Sequence, residues 1–517
     1  MLADPKTNSL VMRVDDPLAV RGLLPRSRLL DHDRYNIAVH HSLGATRILN
    51  NVGIKAPAPI LVNYDWPGKY QPFKHQRTSA AFKTLYKRLL DLSDPGVGKT
   101  ASSLWAADWL MREGHVRRAL ILAPLSTLER VWMGDIFDVL MHRRAVVAHG
   151  SREKRLSAIE ADVDFYVMNH EGVNIGAVRD ALARRPDIDL VIIDEASMFR
   201  NHGTSKYKSL RKLVRPDTRL WLLTGTPCPN HPTDAWALAR LVNPDKVPKY
   251  FGQFRDLTMF KATQFKWVAK PDAYKKAFEA LQPAIRFRKH ECLDLPPVTL
   301  RDRQAELSGE QKTAVKSMTA AMHAEAKKHS ISAVNAADKI NKLRQIMCGA
   351  VRDPDTGDYI ELDHKSRLKV LNETIETAAG KVIVVVPFKG IIQALNKSLN
   401  EHYTTAMMNG DVTPKERDRI ILRFKEEQDP HVLLCHPKVM SHGLNLTEAD
   451  TLIFYAPIYS NDEFQQVTER FNRAGQTRKM TITRIAAHPL EWEIYKQVDL
   501  RKVSQDSILS LYKSMLT

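Results

Sequence analysis

The chain has 517 residues, 44% apolar and 26% charged, which is enough for two to four domains of ordinary size and excludes a globally disordered chain. Lys and Arg exceed Asp and Glu by 18, a surplus that favours a polyanionic partner, nucleic acid first, over an acidic protein or a neutral ligand. No apolar run reaches the ~18 to 20 residues that span a bilayer, and the acids and prolines of MLADPKTNSLVMRVDDP exclude a signal peptide, so no membrane role and a cytoplasmic location are expected.

In chain order, residues 1–70 read as a small α+β module: a strand at 35–39, a helix capped by Ser42 and stopped at Gly53, and a second strand at 60–64. From about residue 85, strand-like apolar runs alternate with amphipathic stretches, the pattern of βαβ units around a parallel sheet. The first block places strands at 88–92, 119–123, 145–148, 165–168, 190–193 and 220–223. Residues 251–350 read as a linker and helical extension, with one long helical segment from Gly309 to about Met347. The second block, 351–517, places strands at 382–386, 405–408, 432–435, 451–455 and 481–485. Thr413-Pro414-Lys415-Glu416 forms a capping box that opens a helix over 414–425.

Three strand ends carry chemistry. Ser93-Asp94-Pro95-Gly96-Val97-Gly98-Lys99-Thr100 follows an apolar strand and precedes the amphipathic helix expected over 101–112. Gly96 and Gly98 let backbone N–H groups curl around phosphate, Lys99 reaches the β and γ phosphates, and Thr100 offers a hydroxyl to magnesium. Ser93 stands where such loops usually have their first glycine. The run Leu190-Val191-Ile192-Ile193-Asp194-Glu195 ends a buried strand in two carboxylates, about 95 residues after Lys99. There Asp194 suits magnesium, and Glu195 suits activation of water. Leu223-Thr224-Gly225-Thr226-Pro227 ends a third strand, where hydroxyls could sense the γ-phosphate, although alone it is also a plausible turn.

The order of these motifs resembles superfamily 2 helicases, and within them the Swi/Snf-like branch of double-stranded DNA translocases. Gln76 in Phe73-Lys74-His75-Gln76 matches the glutamine that reads adenine in that family, and ILAPLSTL at 121–128, DEAS and LTGTPCPN, ending at Asn230, follow in family order. Residues 234–244, 285–297 and 343–348 are similar to stretches of the same branch. QQVTERFNRAGQ is similar to its arginine-finger motif, and Gln466, Arg470 and Arg473 share one face of the helix expected over 464–472. The segment 442–450 matches the family's G-x-N-L-T-x-A, which places Gly443 near nucleotide, although Met440-Ser441-His442 departs from the usual small run.

The resemblance covers about 70–490. It implies two tandem RecA-like parallel-sheet domains, over 71–250 and 351–517, and an ATP- and Mg2+-dependent monomer working on duplex, forked or four-way DNA. Fork remodelling or branch migration, in a bacterial or phage-infected cell, is the expected setting, with residues 1–70 recognising substrate. A strand-separating DNA or RNA helicase, or a nucleotide-gated DNA clamp, is the alternative.

Several features take the plainer reading. Trp105, Trp109 and Trp132 are expected in the core; His40, His41, His142 and His149 lack metal spacing; and the four cysteines have no C-x-x-C pair. Lys312, Lys316, Lys327 and Lys328 suit either a solvated helix face or a DNA-backbone track.

Overall fold

The computed structural model describes residues 1–499, apart from 226, 229, 230, 264–266, 293–295, 329–332, 354, 355, 441–445, 473–475 and 477; the side chains of 323–328, 333–336 and 462 are not described. The chain divides into two compact units, Met1–Cys292 and Leu293–Thr517.

The first unit begins with a four-stranded antiparallel sheet of β1 (Leu2–Asp4), β2 (Ser9–Met12), β3 (Ser27–Leu29) and β4 (Ile37–His40), in the order β1-β2-β4-β3. The helix Leu43–Asn51 covers it, and the Ser42 side chain accepts from Ala45 N. Leu10, Met12, Ile37, Val39, Ala45, Leu49 and Ala56 close a separate small core. The strand expected at 60–64 is instead a short helix, Ile60–Asn63. Pro59, with φ −54° and ψ −36°, starts a turn there, and Ile60 and Tyr64 are buried four residues apart, the helical spacing. Both join the core of the following domain, so the N-terminal module ends before residue 70.

That domain is a seven-stranded parallel sheet. Its strands are β5 (Arg88–Asp91), β6 (Arg118–Ala123), β7 (Ala145–Val147), β8 (Phe165–Asn169), β9 (Ile188–Ile193), β10 (Arg219–Leu223) and β13 (Ala284–Ile285), with the hairpin β11 (Met259–Lys261) and β12 (Trp267–Ala269) outside it. The order is β13-β5-β10-β9-β6-β8-β7. Alternate residues feed opposite faces, as burial on both sides requires: Val191, Ile193, Leu220 and Leu222 on one, Leu190, Ile192, Trp221 and Leu223 on the other. Trp105, Trp109 and Trp132 are buried in the second layer, and the Trp105 indole donates to the Pro67 carbonyl at 2.9 Å.

The second unit is a six-stranded parallel sheet. It contains β14 (Val298–Gln304), β17 (Lys381–Val385), β18 (Thr405–Met408), β19 (Val432–Cys435), β20 (Ala449–Phe454) and β21 (Met480–Ala486), while β15 (Ala350–Arg352) and β16 (Tyr359–Glu361) pair separately. The order is β14-β21-β20-β17-β19-β18. Both large sheets are thus RecA-like layers of parallel strands between helices.

The stretch 251–350, expected as one linker and extension, is shared between the units. Ala284–Ile285 completes the first sheet beside β5, and Val298–Gln304 completes the second beside β21. The long helical segment is two helices, Gly309–Lys328 and Ala333–Cys348. Thr413 caps Pro414–Glu426 through a bond from Glu416 N. Arg367 and Glu491 form an ion pair with both side chains almost fully buried.

Candidate functional site

In the first unit the chemistry gathers at the carboxyl ends of β5, β10 and β9, which are consecutive neighbours in the sheet. From Asp91 the chain passes through the glycine loop into the helix Lys99–Arg112. Gly96 and Gly98 have φ of +83° and +84°, a region that a Cβ makes costly. A Cβ on Gly98 would also stand 1.9 Å from Gln76 Nε2. Gly98→Ala should therefore fold with a lowered Tm and bind ATP about tenfold more weakly, since ~1 to 2 kcal/mol of backbone strain falls on the phosphate loop. Thermal melts with a fluorescent ATP-analogue titration check this; unchanged affinity would contradict it.

Loop N–H groups at a helix N-terminus are the arrangement from which anion sites are built. Lys99 Nζ donates to the carbonyls of Ser93 and Asp94 at 2.7 and 3.1 Å, so it lies across its own loop, and Thr100 is half-buried in the first helical turn. Ser93, the departure from the usual glycine, accepts from Phe287 N through Oγ at 3.0 Å, and Asp94 Oδ2 accepts from Lys289 N at 3.0 Å. These bonds seat residues 286–289 along the loop, a role invisible in the motif itself.

Gln76 lies in the first turn of the helix Lys74–Leu85. Its Oε1 accepts from Phe73 N at 3.0 Å, and its Nε2 donates to the Val97 carbonyl at 3.4 Å. The His75 ring also meets the Val97 carbonyl at 2.8 Å and lies 5.7 Å from both Phe73 and Phe287.

Asp194 is held at three atoms. Oδ2 accepts from Trp132 Nε1 at 3.1 Å, Oδ1 from Glu195 N at 3.0 Å, and the main-chain oxygen from His170 Nε2 at 2.7 Å. Because a carbonyl only accepts, His170 carries its proton on Nε2, and burial pushes its pKa below the usual value. Glu195 follows in the left-handed region, φ 48° and ψ 51°, where non-glycine residues are uncommon. Thr224, almost fully buried at the end of β10, donates N–H to the Asp91 carbonyl at 3.0 Å; Thr226 and Asn230 lie outside the described residues. Trp132 and His170 could not be assigned to this site from spacing, because an indole 62 residues before Asp194 reads as core.

Thr100 and Asp194 are hard oxygen donors, suited to Mg2+ that takes its other ligands from phosphate and water. Among the described residues no group of three or more His, Cys, Asp or Glu is placed to hold a metal.

In the second unit Gln466 and Arg470 lie one turn apart on the helix Asn461–Phe471, while Val467 and Phe471 bury the neighbouring face. Ser460 caps this helix through Glu463 N. Just ahead of it, Arg344 donates to the Pro457 carbonyl and packs 4.7 Å from the Tyr459 ring, which pins the helix start. Arg473 and Gly443 lie outside the described residues.

The first unit thus has the parts of a P-loop nucleoside-triphosphate site: a phosphate loop beside an Asp-Glu strand end. An SNF2-related domain matches residues 89–351 and a helicase conserved C-terminal domain matches 366–475. The chain belongs to the SNF2-related family of ATP-dependent superfamily 2 helicases.

It is 27% identical over 401 residues to the uncharacterized ATP-dependent helicase MG018 of Mycoplasma genitalium, covering 76% of this chain and 37% of that protein. The chain thus spans little more than a third of that relative. It is 24% identical over 448 residues to putative protein p41 of Acyrthosiphon pisum secondary endosymbiont phage 1, covering 81% of this chain and 93% of that one. The SWI2/SNF2 ATPase core of Sulfolobus solfataricus, solved in complex with dsDNA, is 20% identical with a TM-score of 0.41, covering 87% of this chain and 96% of that chain. No described helix is long and apolar enough to cross a membrane.

Proposed function

We propose that this chain couples ATP hydrolysis to movement along double-stranded DNA. The observation that carries the reading is the Asp194-Glu195 strand end beside the phosphate loop, with Glu195 in a left-handed backbone that only a demanding position retains. Lys99 and the loop amides bind the phosphates, and Gln76 with Val97 contacts adenine. Thr100 and Asp194 hold Mg2+, which when bound neutralises charge developing on the phosphates. Glu195 orients and deprotonates the attacking water. Gln466, Arg470 and Arg473 supply the arginine-finger face, and Gly443 lies in the segment that relays DNA contact. The surplus of 18 positive charges supports a phosphate-backbone track, to which Lys312 and Lys316, both exposed, belong.

ATPase assays with duplex DNA, single strands, RNA, forks and four-way junctions test the reading. Stimulation by duplex should exceed that by RNA, and DNA affinity should fall steeply with salt. A translocase also displaces the third strand of a triplex, which a nucleotide-gated clamp leaves in place. Equal stimulation by RNA overturns the duplex assignment.

A finer reading is favoured by the N-terminal sheet, which closes its own core immediately ahead of the motor. It assigns that sheet to recognition of branched DNA, and the protein to fork remodelling or branch migration in replication, recombination or repair. Preference for junctions over plain duplex, lost without residues 1–56, is the expected result.

A further inference from the structure

Beneath the phosphate loop lies a charged pair that hydrolysis does not consume. Lys83 and Asp91 are both fully buried, with Nζ and Oδ2 2.6 Å apart. The ammonium spends its three protons on three acceptors: Asp91 Oδ2, Ser79 Oγ at 2.7 Å and Ser102 Oγ at 2.9 Å. Burial pushes Lys83 down, against the pull of Asp91; burial pushes the Asp91 carboxyl up, but Lys83, Lys99 and the hydrogen bonds from Lys83 and Ser93 outweigh it.

The pair touches every part of the loop's frame. Asp91 Oδ1 accepts the N–H of Ser93, where the loop begins, at 3.1 Å. The Asp91 carbonyl accepts from Thr224 N at 3.0 Å on the neighbouring strand end. Ser102, held by Lys83, donates in turn to the Lys99 carbonyl at 3.0 Å, where the loop ends in its helix. Gln76, Ser79 and Lys83 follow one another at i, i+3 and i+7 of Lys74–Leu85, so a single helix face carries the glutamine and the ammonium.

A buried ion pair is weak evidence for a stabilising role, because well-packed apolar residues of similar volume often serve stability equally well or better. What apolar residues cannot do here is hold the Ser93 N–H and the Ser102 hydroxyl. We propose that Lys83 and Asp91 are positioning residues of the nucleotide site, which fix the loop's entry at Ser93 against its exit at Lys99 and set the Gln76 helix against both. The inference rests on the nucleotide-binding reading given above.

The test compares wild type with the double variant Lys83→Met/Asp91→Leu and with Ser102→Ala, using melting temperature, titration with a fluorescent ATP analogue, and kcat and KM for ATP. The double variant should fold with a lowered Tm, because the buried Ser93 N–H loses its acceptor, and lose about tenfold in nucleotide affinity, the worth of one hydrogen bond to a charged group. Ser102→Ala, which keeps the pair, should raise KM by about threefold with kcat little changed. A folded double variant that binds as wild type overturns the proposal. Should the double variant fail to fold, an unchanged KM in Ser102→Ala overturns it. Wild type that binds no nucleotide would instead defeat the reading of the site and leave the pair's geometry to be explained otherwise.

Discussion

Glu195→Gln should bind ATP as wild type does and hydrolyse it ~10²- to 10⁴-fold more slowly, the usual worth of a positioned general base. Glutamine keeps the length and shape of the side chain but cannot take a proton from water. The neighbouring geometry survives, because the Asp194 side chain is held by the Trp132 indole and the Glu195 N–H, and its carbonyl by His170. None of these contacts uses the Glu195 carboxylate. The left-handed backbone at 195 is equally available to either residue. Single-turnover hydrolysis beside equilibrium binding separates the two effects. A variant that turns over at the wild-type rate would remove Glu195 from the chemistry and with it the reading of DEAS as catalytic.

Arg470→Ala should lose ~10³- to 10⁵-fold in kcat with nucleotide affinity almost intact, since a finger acts on charge that appears only in the transition state. The substitution is conformationally mild. Alanine is the best helix former, and the helix Asn461–Phe471 keeps its Ser460 cap and its buried Val467 and Phe471. Loss of fold would therefore be a surprising outcome, visible at once in a thermal melt. A drop in affinity that matches the drop in kcat would mark Arg470 as a ground-state contact instead.

How much of this was legible in the amino-acid sequence follows from how local each signal is. Strands buried on both faces declare themselves as unbroken apolar runs, so 119–123, 190–193 and 432–435 lie within or coincide with observed strands. The positions of the loop glycines and Lys99 just beyond β5, and of Asp194 and Glu195 just beyond β9, were legible because each follows an apolar strand run. The misses are long-range or short. Ala284–Ile285 is only two residues long and pairs with β5, nearly two hundred residues earlier. Val298–Gln304 is a polar edge strand whose partner lies near the other end of its unit. Ile60–Asn63 is too short for periodicity to separate a strand from one helical turn. Trp132 and His170 carry no spacing signal, since they reach Asp194 only through packing.

The strand order β5-β10-β9 makes the first sheet a ruler. Adjacent strands lie ~4.8 Å apart, so the strand that launches the phosphate loop and the strand that ends at Asp194 are separated by two such intervals, about 10 Å. Backbone hydrogen bonds of β10 to both sides hold that interval, so no side chain is needed to maintain it. Loops at the strand tips can lengthen, shorten or change sequence, as Ser93 has, without altering the gap between the glycine loop and the Asp194-Glu195 strand end. The interval changes only if a strand is lost or inserted, so chemistry that tolerates much drift in its loops tolerates none in the order of its strands.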